Sequence, residues 1–456
     1  MNKCRMVTEL SDLSADARFR VALFRSLHDT NVNYCVLRKY DQLPYRSSEH
    51  DIDILIQGGQ LCTCDTIVRQ CAIQHNAKLI YLEDKPDQLV LCVVGRSGID
   101  FWKCTIDFQC LLAWKGIEYI SGREVLDRAE EIDGVRRAIK EDSLLIALLN
   151  DALLSGRIKD EYRLKILESG QRLYSFLLER LCDLLTPGAR NDLRQLLSGE
   201  KRFLPRLRLW KLRSSLLRRA FAKKPFKTLH AVISAFKHFL SRRIRPPGLF
   251  VAVLGVDGSG KTTIIREVSQ KLEQILRRKI VVKQFRPGLL PRPGALLGSK
   301  PSILAVRNPH FRPPCGLVGS VLLLTYHTFD YVIGYWFKVI PVISSRGSVV
   351  FFDRYFHDYL VDPIRHRVKL PLLVIRCFNQ LIPRPDLIVL LKAPSKSIHD
   401  RKGELALDVI DSQQDKLGVL AKADSHTVVL DSSKDIARLS IEVTNTIIEQ
   451  LAKRRR

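Results

Sequence analysis

The stretch that decides the fold is LFVAVLGVDGSGKTT, which spans residues 249–263. It joins an apolar run typical of a buried strand, a loop with the pattern G-x-x-x-x-G-K-[ST], and the start of an amphipathic helix. Glycines in such a loop let backbone N–H groups turn toward phosphate oxygens, and the helix N-terminus adds positive partial charge. The stretch therefore predicts a binding site for a nucleoside triphosphate.

The polar side chains of this loop have separate expected roles. We expect Lys261 to reach the β- and γ-phosphates and the hydroxyl of Thr262 to bind Mg²⁺. The other residues of the predicted nucleotide site are Gly255, Asp257, Gly258, Ser259, Gly260 and Thr263. ATP and Mg²⁺ are the cofactors that the loop predicts.

The C-terminal half alternates between strand-like and helix-like patterns. Apolar runs typical of strands cover residues 249–254, 279–284, 348–352, 387–391 and 427–430. This alternation predicts an α/β domain with a parallel sheet and flanking helices, a P-loop NTPase sheet. Ligands of such sheets bind outside the carboxyl ends of the strands, so the residues directly after each strand are candidates for chemistry.

Four such residues follow the later strands. Asp353 and Arg354 come after the third strand; they are typical of a metal-binding acid and a cation that offsets phosphoryl charge, or of a structural ion pair. Arg401, on the helix after the fourth strand, is a candidate for a lid over the phosphates. Asp431, after the fifth strand, either lines the adenine edge or forms a polar turn.

Together these residues resemble the thymidylate kinase family of P-loop kinases, from Leu249 to the C-terminus. The motifs that carry the resemblance are residues 255–263, Phe285-Arg286-Pro287-Gly288, Phe352-Asp353-Arg354-Tyr355, Arg384-Pro385-Asp386-Leu387 and Arg401-Lys402-Gly403-Glu404-Leu405.

The resemblance implies an ATP- and Mg²⁺-dependent phosphotransferase and assigns roles to individual residues. It implies that Asp257 contacts a hydroxyl of the acceptor, and that Arg286 and Arg354 approach the transferred or acceptor phosphate. It also places Arg401 in the lid, and Lys261 with Thr262 on ATP and Mg²⁺.

The acceptor is less well defined than the kinase class. Where the family has an Asp-Arg pair facing the acceptor, this chain has Asp330-Tyr331, so Tyr331 takes the predicted acceptor position. The segment that runs from Phe356 to Pro363 and on to Arg367 resembles divergent thymidylate kinase-like proteins of bacterial surface polysaccharide synthesis. The predicted acceptor is therefore a nucleoside monophosphate or a related molecule, with a sugar or glycolipid as the alternative. An ATP-binding regulatory switch in a membrane-docked assembly is a third interpretation.

The N-terminal half holds a second acidic pattern. Strand-like runs cover residues 33–38 and 50–56, and alternation along the second run places Asp51 and Asp53 on one face. Two carboxylates on one face are costly unless a cation joins them, as in two-metal phosphoryl and nucleotidyl transfer. Asp107 or Asp100 is the candidate third acid, which makes Asp51, Asp53 and Asp107 the predicted metal ligands.

Residues 17–116 resemble the nucleotidyltransferase superfamily, whose signature is this D-x-D strand with a later carboxylate. The chain lacks the Gly-Gly or Gly-Ser that precedes the D-x-D in that superfamily; Leu37-Arg38 stands near that place. Three interpretations stay open: an active transferase, an inactive relative with the same fold, and an unrelated α/β domain.

The positive charge of the chain is concentrated between the two halves. The formal net charge is +26, and residues 201–248 contain 15 Lys and Arg but no Asp or Glu. An apolar stripe at helical spacing lies among these cations, namely Leu209, Trp210, Leu212, Leu216, Leu217 and Phe221. The stripe either lies on an anionic membrane surface or packs on a neighbouring domain. Specific nucleic-acid binding is disfavoured because no DNA- or RNA-reading motif accompanies the charge.

These patterns predict three parts: a nucleotidyltransferase-like domain with a helical extension at 1–200, a basic amphipathic linker at 201–248 and a thymidylate kinase-like domain at 249–456. No secretory signal opens the chain, so we expect a cytoplasmic protein, peripheral at the inner face of the membrane if the linker binds lipid. Residues 316–343 predict a buried core helix. His327, His357 and His366 are expected to be structural or acceptor-side. A homodimer is one of the oligomeric states left open.

Overall fold

The computed structural model of the protein describes residues 13–46, 51–114, 116–168, 185–291, 313–345, 348–402 and 406–454, together with 175, 177 and 179. The chain divides into two compact units, Met1–Ser241 and Arg242–Arg455. The predicted Gly403-Glu404-Leu405 and His50 lie outside the described residues.

The first unit is a mixed α/β structure. Its strands are β1 (Tyr34–Val36), β2 (Ile52–Ile56), β3 (Lys78–Lys85), β4 (Gln88–Ser97), β5 (Asp100–Gln109), β6 (Leu112–Trp114), β7 (Ile117–Ile120), β8 (Glu130–Ile132) and β9 (Val135–Arg137). Its helices are α1 (Ala15–Asp29), α2 (Leu61–Gln74), α3 (Gly122–Asp127), α4 (Lys140–Ser155), α5 (Asp160–Glu168), α6 (Pro187–Leu197) and α7 (Arg206–Lys223). The helix α8 (Pro225–Ile244) begins in this unit and ends just inside the second.

Seven of the described strands form one sheet in the order β3-β4-β5-β2-β1-β9-β8, and β6 pairs with β7 separately. Strand β2 is antiparallel to β1 and parallel to β5. Both faces of the central strands are covered: Leu55 packs in a cluster with α4, whereas Ile54 and Ile56 pack in another with α1 and α2. This is the two-residue alternation that strand geometry requires.

The second unit contains a parallel sheet. Its strands are β10 (Leu249–Leu254), β11 (Val281–Gln284), β12 (Val349–Asp353), β13 (Leu387–Lys392) and β14 (Thr427–Asp431). Its helices are α9 (Lys261–Leu276), α10 (Leu317–Gly334), α11 (Ile340–Ile343), α12 (His357–Val361), α13 (Leu372–Leu381), α14 (Ser395–Lys402), α15 (Leu407–Ala423) and α16 (Ile436–Lys453). A π-helical segment, Tyr335–Val339, joins α10 to α11, and a 3₁₀ turn covers Ile364–His366.

The strand order within the described part of this unit is β11-β12-β10-β13-β14, with every pair parallel. All six residues of β10 are buried, as expected for a central strand whose two faces are both covered. The predicted parallel sheet with flanking helices is confirmed. Because β10 lies between β12 and β13, the residues after these three strands meet at one edge.

The apolar segment Leu317–Ile343 is long and apolar enough to cross a membrane by length and composition, and 39% of its most apolar window is buried. Its buried side includes Asp330, which hydrogen-bonds to backbone amides of the second unit. Its other side exposes residues such as Leu317 and Phe337. The predicted core helix is therefore buried along one side only.

The basic segment 201–248 is mainly helical, and its two long helices differ in burial. On α7, Leu212 and Leu216 are buried in the core of the first unit, and Leu209 and Leu217 pack against that core. Four of the six residues of the predicted stripe thus have intramolecular partners. On α8, by contrast, Thr228 is the buried residue among Pro225–Ile244.

Candidate functional site

The loop between β10 and α9 has the backbone shape that its glycines predict. Gly255 has φ +152°, and a Cβ there would lie 2.6 Å from Ser259 Oγ and 2.8 Å from the carbonyl oxygen of Leu391. Gly258 and Gly260 also have positive φ values, which L side chains rarely adopt. The loop therefore curls tightly before α9 begins at Lys261, directly after Gly260.

Two polar groups of this loop are notable for their surroundings. The Lys261 ammonium is buried and donates to the carbonyl oxygens of Gly255 and Val256, each at 2.9 Å. The buried Ser259 hydroxyl has no hydrogen-bond partner among the described residues. A lysine held by the loop and an orphaned hydroxyl fit a cradle for phosphate oxygens.

Thr262 and Asp353 meet at the edge of the sheet, as the parallel order predicts. The Thr262 hydroxyl donates to Asp353 Oδ2 at 2.6 Å, although 91 residues separate them in sequence. Thr262 stands at the start of α9, and Asp353 ends the neighbouring strand β12. Hydroxyl and carboxylate oxygens are the donors that Mg²⁺ prefers, so this pair fits the metal that the loop predicts.

Arg354 follows Asp353 in a left-handed backbone conformation, with φ +72°. Its backbone N–H donates to the carbonyl oxygen of Val253 at 3.1 Å, which ties it to the strand before the loop. Its guanidinium contacts the carboxylate of Asp257 and also Asp358 Oδ2, the latter at 2.8 Å. A strained backbone that aims a cation across the loop is typical of a functional site.

Three cations converge on Asp257. Besides Arg354, Arg365 lies 2.7 Å from Asp257 Oδ2 and the Lys261 ammonium lies 3.7 Å from Oδ1. The Asp257 side chain is 12% exposed, so these interactions are only partly screened by water. The cluster therefore provides a locally positive surface beside the loop.

Arg286 and Asp330 form a second charged pair. Arg286 lies 3.0 Å from Asp330 Oδ2, and Asp330 is fully buried. Asp330 also accepts from the backbone N–H groups of Leu289 and Leu290, both at 2.7 Å. This carboxylate thus fixes the loop after β11 that carries Arg286.

The structure corrects the expectation that Tyr331 contacts the acceptor. Tyr331 is 0% exposed, and its hydroxyl donates to the backbone carbonyl of Phe285 at 2.5 Å. Its ring packs edge-on against Tyr355 and Phe356. The side chain is a core residue that supports the loop after β11, because the helix turns this position inward.

A wall of aromatic rings lies next to the charged cluster. Phe285 and His366 stack with ring centroids 4.4 Å apart, and His366 also lies 4.6 Å from the ring of Tyr359. The hydroxyl of Tyr359 hydrogen-bonds to Nδ1 of His327. His366 Nε2 has no hydrogen-bond partner among the described residues. The wall is therefore mostly buried, since Tyr359 is 0% exposed and Nε2 of His366 lies inside the protein.

Both histidines of this wall are held in the neutral form. Burial lowers the pKa of His327 to about 3, and the charge of Arg286 acts in the same direction. Burial also lowers the pKa of His366 to about 4, although Asp358 opposes the shift. At neutral pH they contribute hydrogen-bonding atoms and ring surface, not charge.

Two further predicted residues, Asp431 and Arg401, are exposed. Asp431, at the end of β14, accepts from the backbone N–H and the hydroxyl of Ser433, at 2.9 and 2.7 Å, which is a polar turn. These hydrogen bonds lower the pKa of the exposed Asp431 carboxyl. Arg401 is exposed on α14. Their roles at the adenine edge and in the lid stay predictions.

The acidic pattern of the first unit is also assembled by its sheet. Asp53 on β2 and Asp107 on β5 are register partners on neighbouring parallel strands, whereas Asp100 pairs with Ser97 at the far end of β5. Asp51 is exposed, just before β2. Of the two candidate third acids, Asp107 is therefore the one beside Asp53.

Both carboxylates have partners from the first unit itself. Arg38 Nε donates to Asp53 Oδ2 at 2.5 Å, and the Gln88 amide lies 2.9 and 3.1 Å from the two oxygens of Asp107. Burial alone would lower the pKa of Arg38, but the charge of Asp53 outweighs it and raises that pKa. The described residues include no group of three or more His, Cys, Asp or Glu arranged to hold a metal ion. The metal role of Asp51, Asp53 and Asp107 stays a prediction.

Sequence reasoning assigned no individual role to Arg365 or Asp358, which the structure brings to the loop, and it predicted a structural or acceptor-side position for His366. They lie on α12 and the 3₁₀ turn after β12. The available signal was the basic run at 365–367 directly after Asp362-Pro363. Nothing in that run indicated which of its cations turns toward Asp257.

Comparison with known proteins shows that about a third of the chain is similar to thymidylate kinases. No family model matches the chain. It is 30% identical over 151 residues to a thymidylate kinase of Xanthomonas campestris pv. campestris, which covers 33% of this chain and 59% of that protein. It is also 30% identical over 155 residues to a thymidylate kinase of Xylella fastidiosa, a match that covers 33% of this chain and 62% of that protein. A thymidylate kinase of Xanthomonas oryzae pv. oryzae is 27% identical over 158 residues, which cover 33% of this chain and 59% of that protein. The chain thus spans about three fifths of the length of these relatives and contains a thymidylate kinase-like region.

Proposed function

We propose that the second unit is an ATP- and Mg²⁺-dependent phosphotransferase of the thymidylate kinase-like class, acting on a nucleoside monophosphate or a related phosphate-bearing acceptor. One observation carries this proposal. Thr262 hydrogen-bonds to Asp353, and Arg354 and Lys261 both contact Asp257 of the same loop. The thymidylate kinases that match about a third of the chain support the same class.

The kinase works by positioning and charge neutralisation, without a covalent intermediate. The loop amides and Lys261 would bind the phosphates of ATP, and Thr262 with Asp353 would hold Mg²⁺, which would neutralise phosphate charge. Arg354 offsets the charge that develops on the phosphoryl group as its bond to the acceptor oxygen forms and its bond to ADP breaks. Its contacts with Asp257 and Asp358 fix the guanidinium before the substrates arrive.

The acceptor side of the site is formed by Arg365, Arg286 and the partly exposed ring of Phe285, which Tyr359 and His366 support. A ring face suits a planar or cyclic group, and the cations suit a phosphate. A sugar or glycolipid that carries a phosphate meets the same requirements and is the alternative acceptor class.

For the first unit we propose a nucleotidyltransferase-like fold in which Arg38, and not a metal ion, balances Asp53. The adjacent D-x-D and Asp107 strands support the likeness. The ion pair with Arg38 and the amide contact from Gln88 support an inactive member of that group over an active transferase. Phosphotransfer then depends on the second unit.

The test is product formation by the purified full-length protein with ATP and Mg²⁺. Nucleoside monophosphates and bacterial glycan or glycolipid extracts are offered as acceptors, and new phosphorylated products are identified by mass spectrometry. Lys261→Ala should reduce phosphotransfer at least about 100-fold, since it removes a phosphate contact made in the transition state. Asp53→Asn, the matched control in the first unit, should leave it nearly unchanged.

Two results would contradict the proposal. ADP formation without any phosphorylated product would indicate an ATP-binding switch. Equal losses from Lys261→Ala and Asp53→Asn would indicate one composite site, and the separation of roles between the two units would be wrong.

A further inference from the structure

The helix α8, Pro225–Ile244, exposes apolar side chains along one side in the part of the chain that the structure describes. Its apolar side chains that are exposed to solvent are Phe226, Leu229, Val232, Ile233, Phe236, Phe239, Leu240 and Ile244. The spacing 226, 229, 233, 236, 240 and 244 places the majority of them on one side of a helix. Phe226 is 86% exposed and Phe236 is 65% exposed, values far outside what a packed helix shows.

The opposite side of α8 contacts the first unit. Thr228 is buried there, Ala231 lies against Gly116, and His238 Nε2 lies 2.5 Å from Glu83 Oε1. Lys227 also reaches Glu118, at 3.3 Å. These contacts fix the rotation of the helix about its own axis, so the apolar face points away from the first unit.

The positive charge near the exposed apolar side of α8 indicates which kind of partner binds there. Residues 201–248 contain 15 Lys and Arg and no Asp or Glu; Lys223 and Lys224, directly before α8, and Lys237 on α8 are exposed. Two copies of such a helix placed face to face would bring cations together without a single acid to offset them. A bilayer with anionic headgroups supplies both an apolar interior and the opposite charge.

We propose that α8 docks the protein on anionic lipid bilayers, lying in the plane of the headgroups with its apolar face inserted. The sequence pointed to the stripe on α7, but Leu212 and Leu216 of that helix are buried, and the uncovered face is one helix further along. This inference does not depend on the proposed kinase activity.

The test is co-sedimentation of the full-length protein with vesicles of phosphatidylcholine containing about one third phosphatidylglycerol. The protein should bind these vesicles at about 50 mM salt, bind less at about 500 mM, and bind pure phosphatidylcholine weakly. Lys223→Gln, Lys224→Gln and Lys237→Gln together should weaken binding at low salt by about fivefold for each charge.

The apolar face is tested separately, with a matched control. Phe226→Ser, Ile233→Ser and Phe236→Ser together should weaken binding at least about tenfold at either salt concentration. The control is Leu317→Ser, Val318→Ser and Leu322→Ser, which are 66%, 75% and 65% exposed on α10 and should leave binding unchanged.

Hydrogen exchange of the wild-type protein tests the proposal without any substitution. Residues 225–244 should become protected from exchange when anionic vesicles are added. Absence of vesicle binding at low salt overturns the proposal. So does binding that the α10 control abolishes and the α8 variant does not. A dimer in solution that the α8 serine variant dissociates, without vesicle binding, would show that a second copy of the chain covers the face.

Discussion

Acidification should destabilise the second unit through its buried histidines, and His327 allows the size of the effect to be calculated. Burial lowers the pKa of His327 to about 3, compared with 6.5 for the free side chain. A folded-state pKa below the unfolded-state value means that the unfolded chain binds the proton first. The stabilising contribution is therefore fully present above pH 6.5 and is lost progressively as the pH falls toward 3.

The expected magnitude follows from these two pKa values. At pH 5 the unfolded histidine is almost fully protonated and the folded one is not, so His327 alone should lower the free energy of unfolding by about 2 kcal/mol relative to pH 8. His327 is 9% exposed, so solvent screening reduces this figure little. His366, whose pKa is lowered to about 4, should add a loss of the same sign.

Native-state hydrogen exchange measures this effect within one unit, because peptides from β10 and β12 report the free energy of opening the second unit. The loss between pH 8 and pH 5 should be about 2 kcal/mol smaller in His327→Gln than in the wild type. His426→Gln, which changes a side chain that is 64% exposed, is the matched control and should behave as the wild type. Equal losses in His327→Gln and the wild type would refute the reasoning.

Two further predictions concern the acceptor. Arg365→Gln should lower kcat/KM for the acceptor about 100-fold while leaving the KM for ATP nearly unchanged, because Arg365 faces Asp257 on the acceptor side. The control is Arg367→Gln, which changes an exposed residue two positions away. A larger effect on the KM for ATP than on kcat/KM for the acceptor would contradict the assignment. Thymidylate should be a poor substrate, with kcat/KM below about 10⁴ M⁻¹ s⁻¹ in steady-state assays, because Tyr331 is buried and supplies no cation where the family has one. A higher kcat/KM would support the interpretation of the second unit as a dedicated thymidylate kinase.

The sheet of the second unit could be predicted from sequence because its three central strands are almost entirely buried. Continuous apolar runs such as 249–254 give a strong signal, and the parallel order brought Thr262 to Asp353 as expected. The strand ends were less clear: the third strand includes Asp353, and the second begins at Val281 instead of at residue 279. Charged residues at a strand end satisfy both a strand and a loop pattern, so composition alone does not fix the boundary.

The residues of the acceptor side could not be predicted from the sequence, for a different reason. Tyr331 follows Asp330 on α10, and both are buried, but an apolar helix pattern does not tell which neighbour it packs against. Arg365 lies 12 residues beyond the end of β12, after a helix and a turn whose geometry the sequence does not specify. Contacts between loops depend on tertiary packing, and such contacts place Arg365 against Asp257.

The charge around Asp257 links the ATP side of the site to the acceptor side. Lys261, Arg354 and Arg365 all approach this one carboxylate, and Asp358 also contacts Arg354. Partly buried cations are costly unless anions balance them, and Asp257 cannot balance Lys261 and Arg365 at once. The phosphates of ATP would balance Lys261 and leave Asp257 to balance Arg365. We therefore expect ATP binding to strengthen the ion pair between Asp257 and Arg365, and so to fix Arg365 before the acceptor arrives.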